Sequence, residues 1–243
     1  MKLSVVIPAY NEERRLPKTL KSIGSYLKNQ EYEYEIVVVN DGSKDRTADV
    51  VRSLSSEINN LRLIDNKENH GKGFVVRQGL IESLGDYRLF TDADNSTSVD
   101  HIEKMWPEFE RGFDIILGSR EMKESVLDPP QPSFRRMTGA AFRLLTNIFV
   151  GLWKIRDTQC GFKGFTKDSV EDVLPRCKID RFSFDAEILV VAKKLNYRIK
   201  EIPITWENDL ESKVSFKSMV KMGLDLIKIR INLIKKVYEK KET

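Results

Sequence analysis

Asp92 and Asp94 stand one alanine apart, directly after the apolar, β-favouring run Leu89-Phe90-Thr91. Carboxylates so close raise each other's pKa unless a cation or hydrogen-bond donors compensate. Two kinds of chemistry answer that need. One is a solvated turn that caps the next helix, the commoner fate of an isolated D-x-D. The other is a hard divalent cation, Mg²⁺ or Mn²⁺, for which paired carboxylate oxygens are suitable ligands. Three further clusters have a similar character: PAYNEE (Pro8–Glu13), NDGS (Asn40–Ser43) and GSR (Gly118–Arg120) each follow a short apolar run. Turn chemistry accounts for any one of them. It accounts poorly for all four together.

The elements that must position these residues alternate regularly. Leu3–Ile7, Glu35–Asn40, Leu61–Asp65, Tyr87–Asp92 and Asp114–Ser119 read as buried strands. Helices are expected over Leu16–Lys28, from Asp45 onward, from Gly71–Gly73 to Leu84, and after Ser98. Continuous apolar strands separated by helices predict an α/β fold with a single open, mostly parallel sheet flanked by helices. Ligands of such a sheet bind at the carboxyl ends of its strands. The polar clusters therefore converge on one crevice, which predicts a nucleotide site with a metal. Neither the dinucleotide fingerprint G-x-G-x-x-G nor the loop G-x-x-x-x-G-K-[ST] occurs. A dehalogenase-type phosphatase carries its D-x-D on the first strand, whereas here it falls on the fourth. DPPQP (Asp128–Pro132) separates this regular half from a less regular one and is read as a loop within one domain.

Of 243 residues, 40% are hydrophobic and 32% charged, a soluble globular composition. The net charge of +4 is unevenly placed: residues 213–243 hold nine Lys/Arg against three Asp/Glu, so the rest is slightly acidic. That asymmetry points to an anionic surface near the C-terminus, and no nucleic acid is expected. Cys160 and Cys177, with His70 and His101 at unrelated spacing, provide neither a disulfide framework nor a zinc site. Met1–Ile7 reads as a strand, not a signal peptide, and no stretch reaches the roughly 18 apolar residues of a spanning helix. A cytoplasmic location is expected.

SVVIPAYNEE, VVVNDGSKDRT, NHGKGFVVRQG and FTDADN together resemble the family 2 glycosyltransferases with the GT-A fold. GSR, IRDTQCGFKGF, RFSFDAEIL, EIPITW and ESK narrow the resemblance to the dolichyl-phosphate glucosyltransferases. It implies inverting, metal-dependent transfer of a sugar, glucose from UDP-glucose, to dolichyl or another polyprenyl phosphate. The alternative within the family is another donor, UDP-GlcNAc or GDP-mannose, or another acceptor. A nucleotide-binding partner without turnover is the reading from a different class, and the intact Asp92/Asp94 pair speaks against it. Carried over by the resemblance, Pro8, Ala9, Tyr10 and Glu12 would frame base and ribose, Asn40 and Asp41 would lie at the base, and Lys72 would meet the nucleotide. Asp92 and Ala93 would adjoin ribose or metal, Asp94 would ligate Mg²⁺ or Mn²⁺, and Ser96 would complete the shell. Asp157 and Asp185 fall at positions associated with acceptor handling or base function. Asn40 stands where many relatives have an aspartate. Glu207 stands where mannosyl enzymes favour an arginine, which turns the implied sugar towards glucose.

A phosphate monoester has a second pKa of about 6 and is largely dianionic at neutral pH. As a nucleophile it needs cations that hold it in line more than it needs a strong base. Arg120, Arg135, Arg136 and Lys163 are candidates, with Lys213 of the ESK motif. Because a polyprenyl substrate stays in the bilayer, the segment Phe216–Tyr238 is of interest. Lys217, Lys221, Asp225, Lys228, Asn232, Lys235 and Glu239 form one narrow polar stripe on it, and nearly everything else is apolar. So wide an arc suits a helix packed on the sheet or in a homodimer, or an interfacial helix on an anionic membrane. The chain is read as one unit, a GT-A domain over 1–212 and a basic amphipathic helix over 213–243, peripheral on the cytoplasmic face of a membrane. Met137–Ile155, with Trp153, is a second candidate surface element.

Overall fold

Apolar runs long enough to be buried on both sides build the sheet. In the computed structural model, which describes residues 2–130, 133–207 and 216–239 (backbone alone at 133–136 and 216–217), the strands are as follows. They are β1 (Leu3–Ala9), β2 (Tyr34–Asp41), β3 (Leu61–Asn66), β4 (Tyr87–Thr91), β5 (Ile115–Ser119), β6 (Val126–Asp128), β7 (Phe162–Thr166), β8 (Ile199–Pro203) and β9 (Thr205–Glu207). The helices are α1 (Leu16–Lys28), α2 (Thr47–Leu54), α3 (Lys72–Glu82), α4 (Trp106–Glu110), α5 (Ser133–Val150), α6 (Lys167–Val173), α7 (Phe184–Lys194) and α8 (Phe216–Ile234). Seven strands lie in the order β3-β2-β1-β4-β7-β5-β8, all parallel except β7, which runs antiparallel to both its neighbours. β6 and β9 pair in parallel as a separate ribbon. The α/β class and the mostly parallel sheet match the expectation from the sequence.

Period-two alternation sorts each strand between two cores. Val6, Val37, Val39, Phe90, Ile115 and Leu117 face α3, α7 and α8, whereas Val5, Ile7, Ile36, Val38, Leu89 and Ile116 face α1 and α2. Leu16, Leu20, Ile23 and Leu27, at helical spacing, are the buried stripe of α1. Each such side chain contributes about 1.5–3 kcal/mol by leaving water. The helix expected after Ser98 is instead a 3₁₀ turn, Val99–Lys104, followed by α4, whose early proline Pro107 suits the first turn of a new helix.

α8 divides its apolar arc. Leu226 and Ile229 are fully buried in the core beside α7, as is Tyr238 just beyond the helix. Val220, Leu224, Ile227, Ile231 and Ile234 form a second, exposed stripe. On α5, Met137, Leu144, Leu145 and Ile148 are also exposed, as is Trp153 after it. No helix among the described residues is long and apolar enough to cross a membrane.

Candidate active site

The carboxyl ends of β1, β2 and β4 lie side by side, and short bonds lace their loops together. Asn11, held at a left-handed φ of 55°, donates its N–H to Ser43 Oγ (2.9 Å) and accepts from Lys44 N (2.9 Å). Glu12 is buried; its N–H donates to Thr47 Oγ1 and its carboxylate takes both Nε and Nη2 of Arg15 at 2.7 Å. Pro8 and Ala9 close β1 beneath them, and Tyr10 is 36% exposed above. Asn40 donates to Asp65 and accepts from Ser43 N, so its amide is engaged within the loop.

Asp41 organises the next element. Its carboxylate accepts from Asn69 Nδ2 (2.8 Å), His70 N (2.7 Å) and Gly71 N (3.0 Å). Burial raises its pKa, and the two backbone donors oppose that rise. Gly71 has φ of 105°, and a Cβ there would lie 2.5 Å from Asp180 O, so only glycine fits. This clamped turn delivers Lys72 as the first residue of α3.

Lys72 Nζ meets Asp92 Oδ1 at 2.6 Å, over the Phe90 ring. Burial works against its charge, but Asp92, Asp185 and Asp94 outweigh burial and raise its pKa. Asp92 is fixed from behind: its N–H donates to Gly161 O (3.1 Å), and a Cβ on Gly161 would fall 1.9 Å from Asp92 Oδ2. Ala93 is buried, its carbonyl accepting from Thr19 Oγ1. Asn95 turns the chain at φ of 57°, which lets Ser96 N donate to Asp94 Oδ1 at 2.9 Å. Burial, then the charge of Asp92, raises Asp94 above the usual carboxylate range. Ser96 Oγ is buried with no hydrogen-bond partner among the described residues.

Those residues suit a divalent ion shared with a substrate. No group of three or more His, Cys, Asp or Glu side chains that could hold a metal occurs among the described residues. Two carboxylates and an unpaired hydroxyl supply part of a shell, and Mg²⁺ commonly takes the rest from substrate phosphates and water.

Behind the tip of β4 lie two ion pairs, Arg120–Asp157 partly buried and Lys163–Asp185 buried. Arg120 clasps Asp157 through Nε (2.7 Å) and Nη2 (2.9 Å), with its backbone N–H on the same carboxylate and its guanidinium 5.5 Å from the Trp206 ring. Burial would raise Asp157, yet Arg120 holds it below its ordinary value. Lys163 is only 1% exposed; its Nζ donates to Asp185 Oδ1 at 2.6 Å and to Cys160 O. Burial raises Asp185 despite Lys163 and Lys72. Arg120 and Lys163, read from the sequence as cations for an acceptor phosphate, are thus each committed to an aspartate, and Asp157 and Asp185 to a cation. The side chains of Arg135 and Arg136, and the whole of Lys213, lie outside the described residues.

Sequence reasoning passed over two residues. Gly161 is one; a glycine in the largely apolar run CGFKGF signals close backbone approach. Glu187 is the other: fully buried, it accepts from Lys178 N, Ile179 N and the Tyr238 hydroxyl. It ties the segment before α7 to the end of the described chain.

Residues 4–174 match the family model described as Glycosyl transferase family 2. A dolichyl-phosphate beta-glucosyltransferase of Trichomonas vaginalis is 38% identical over 239 residues, 94% of this chain and 73% of that one. The human dolichyl-phosphate beta-glucosyltransferase is 34% identical, over 99% of this chain and 78% of its own length. Among solved structures, glucosyl-3-phosphoglycerate synthase of Mycobacterium tuberculosis, crystallised with Mn²⁺, UDP-glucose and phosphoglyceric acid, superposes with a TM-score of 0.69 at 15% identity. That superposition covers 99% of this chain and 81% of the synthase.

Proposed function

The chain belongs to glycosyl transferase family 2 and is a glycosyltransferase, and from that premise we propose that it moves glucose from UDP-glucose to dolichyl or another polyprenyl phosphate. One observation carries the reading beyond the family. Asp92, Asp94 and the unpaired Ser96 hydroxyl gather at the tip of β4, with Lys72 against them and Asp41 fixing the turn that delivers Lys72. The names of the relatives support the sugar and the acceptor.

Asp92, Asp94 and Ser96 would hold Mg²⁺ or Mn²⁺ beside the donor diphosphate. When bound, the ion acts as a Lewis acid for the charge that develops on the leaving group. Lys72 then exchanges Asp92 for a diphosphate oxygen, adding a second positive charge where the leaving charge grows. Pro8, Tyr10, Glu12 and Asp41 shape the nucleotide pocket, Asp41 and Glu12 through the loops they clamp. The acceptor phosphate oxygen attacks the anomeric carbon as the bond to the diphosphate breaks, so an α-linked donor gives a β-linked product. The attacking dianion carries no proton that must be removed, so no free base is required. Asp157 and Asp185 accordingly serve by orienting Arg120 and Lys163, whose field reaches the reacting phosphates. The exposed apolar stripes of α5 and α8 would meet the membrane that holds the acceptor, on its cytoplasmic face.

The test is a donor panel of UDP-glucose, UDP-GlcNAc and GDP-mannose with dolichyl phosphate and either ion. Glucose transfer from UDP-glucose to a β-linked product is expected. Transfer of another sugar in preference would replace the donor assignment, and no transfer to any polyprenyl phosphate would remove the acceptor.

A further inference from the structure

A cavity of about 420 Å³ opens between the turn before α3, the segment ahead of α7, and α8. Lys178, Arg181, Lys221 and Lys228 line it, with Asp180, Asp225 and the apolar Leu224. Asp180 is engaged elsewhere, 2.5 Å from Arg77, which does not line the cavity. No described carboxylate comes within ion-pair distance of Arg181, Lys221 or Lys228. Asp225 faces all three at longer range, and Asp41 faces Arg181. Cations gathered around a concave space without partners repel one another, and an anion relieves that repulsion.

The surroundings say what kind of anion. Leu224 belongs both to the cavity wall and to the exposed stripe Val220, Leu224, Ile227, Ile231 and Ile234, where exposure runs from 41% to 67%. A soluble anion would use the cations and leave the stripe in water. A second copy packed against this face with its own would bring like charges together. An amphiphile uses both features, its charged head in the cavity and its apolar chains along the helix. We propose that this cavity binds the phosphate headgroup of an anionic phospholipid and so seats α8 on the bilayer, a site that rests on the reading of the protein as an enzyme with a membrane-held acceptor.

The experiment is co-sedimentation of the full chain with phosphatidylcholine vesicles, with and without phosphatidylglycerol, alongside glucose transfer to a short, water-soluble prenyl phosphate. Lys221 and Lys228 are exposed, so their replacement leaves the core intact. Diffuse attraction alone predicts about a 5-fold loss of vesicle binding per lysine wherever it lies, equivalent to about 1 kcal/mol. A headgroup site makes Lys221→Ala and Lys228→Ala each lose clearly more than Lys235→Ala, which is on the same stripe two turns past the cavity. Transfer to the short acceptor is expected to be unchanged in all three. Equal losses in the three variants, or no preference of the wild type for phosphatidylglycerol, would overturn the site. A loss of transfer to the short acceptor in the cavity variants would overturn it too, because the cavity would then hold substrate. Cavity-dependent vesicle binding in a protein that glucosylates no polyprenyl phosphate would retain the lipid site and remove the acceptor reading instead.

Discussion

Two lysine–aspartate pairs of equal length sit in different surroundings. Lys72 and Asp92 meet at 2.6 Å with side chains 30% and 31% exposed, whereas Lys163 and Asp185 meet at 2.6 Å with 1% and 9% exposed. Both lysines lie over Phe90, at 5.5 and 5.7 Å from the ring centre. Water competes for the first pair, so separating it costs little and a diphosphate can displace Asp92 from Lys72. The second pair has no such exchange: removing one member strands a charge in the core. On the proposed mechanism the front pair opens on substrate, whereas the rear pair keeps its geometry.

Breaking the front cluster should cost activity and spare the fold. Asp94→Ala removes a ligand at the strand tip and no core contact; transfer should fall by about 10³-fold, the scale of several kcal/mol of lost charge stabilisation. Metal-dependent binding of UDP, followed by calorimetry, should vanish with it. Activity close to wild type would remove Asp94 from the metal site. Breaking the rear pair should do the reverse. Lys163→Met should lower unfolding stability by about 3 kcal/mol or more. Lys72→Met should leave it within about 1 kcal/mol. Urea denaturation of the two variants decides the matter: equal stabilities would erase the distinction between the pairs.

A smaller effect sharpens the comparison by moving Asp92 without touching it. In Gly161→Ala the new Cβ would lie 1.9 Å from Asp92 Oδ2, so the carboxylate must shift. Displacing a ligand through its support typically costs about 10–100-fold in metal affinity or activity. Metal affinity should fall in that range while UDP binding without metal is retained. An unchanged metal affinity would mean that Asp92 relaxes freely and that the glycine serves packing alone.

The front half was legible because local chemistry declares it. β1, β2 and β4 carry the apolar runs Val5–Ile7, Ile36–Val39 and Leu89–Phe90 up to their carboxyl ends, where turn formers follow, so the crevice follows from strand order. The rear pair was not legible. β7 reads FKGFT, with a lysine and a glycine where a buried strand should be apolar. Its insertion antiparallel between β4 and β5 depends on contacts distant in sequence, Phe90 with Lys163 and Leu117 with Lys163. The sequence therefore offers Lys163 as a cation for an acceptor phosphate, because nothing local reveals that Asp185 lies beside it. The wide apolar arc of α8 could be counted from the sequence. Its division into a buried stripe on α7 and an exposed one required the neighbouring helix. Leu226, Ile229 and Tyr238 in the core also mean that α8 cannot be removed as a separable membrane anchor.

The two rear pairs can themselves be told apart by pH. Arg120 holds Asp157 below its ordinary value, whereas burial lifts Asp185 above its own. An unfolded aspartate titrates near about 3.9. Between the depressed folded value of Asp157 and the unfolded one, the unfolded chain binds more protons, so stability rises with pH across that window. The contribution of Asp157 is complete above the unfolded value and is lost as pH falls through the folded one. For Asp185 the folded chain binds more protons above the unfolded value, so its contribution is complete below that value and declines as pH rises through the folded one. Asp157→Asn should therefore lose most stability relative to wild type at neutral pH and converge with it in acid. Asp185→Asn should show a deficit relative to wild type that narrows as pH rises above the unfolded value. Urea unfolding of both variants and wild type across acidic to neutral pH measures the two slopes. Slopes of the same sign would mean that Lys163 lowers Asp185 as effectively as Arg120 lowers Asp157. The rear pairs would then be equivalent, and only the front pair would stand apart.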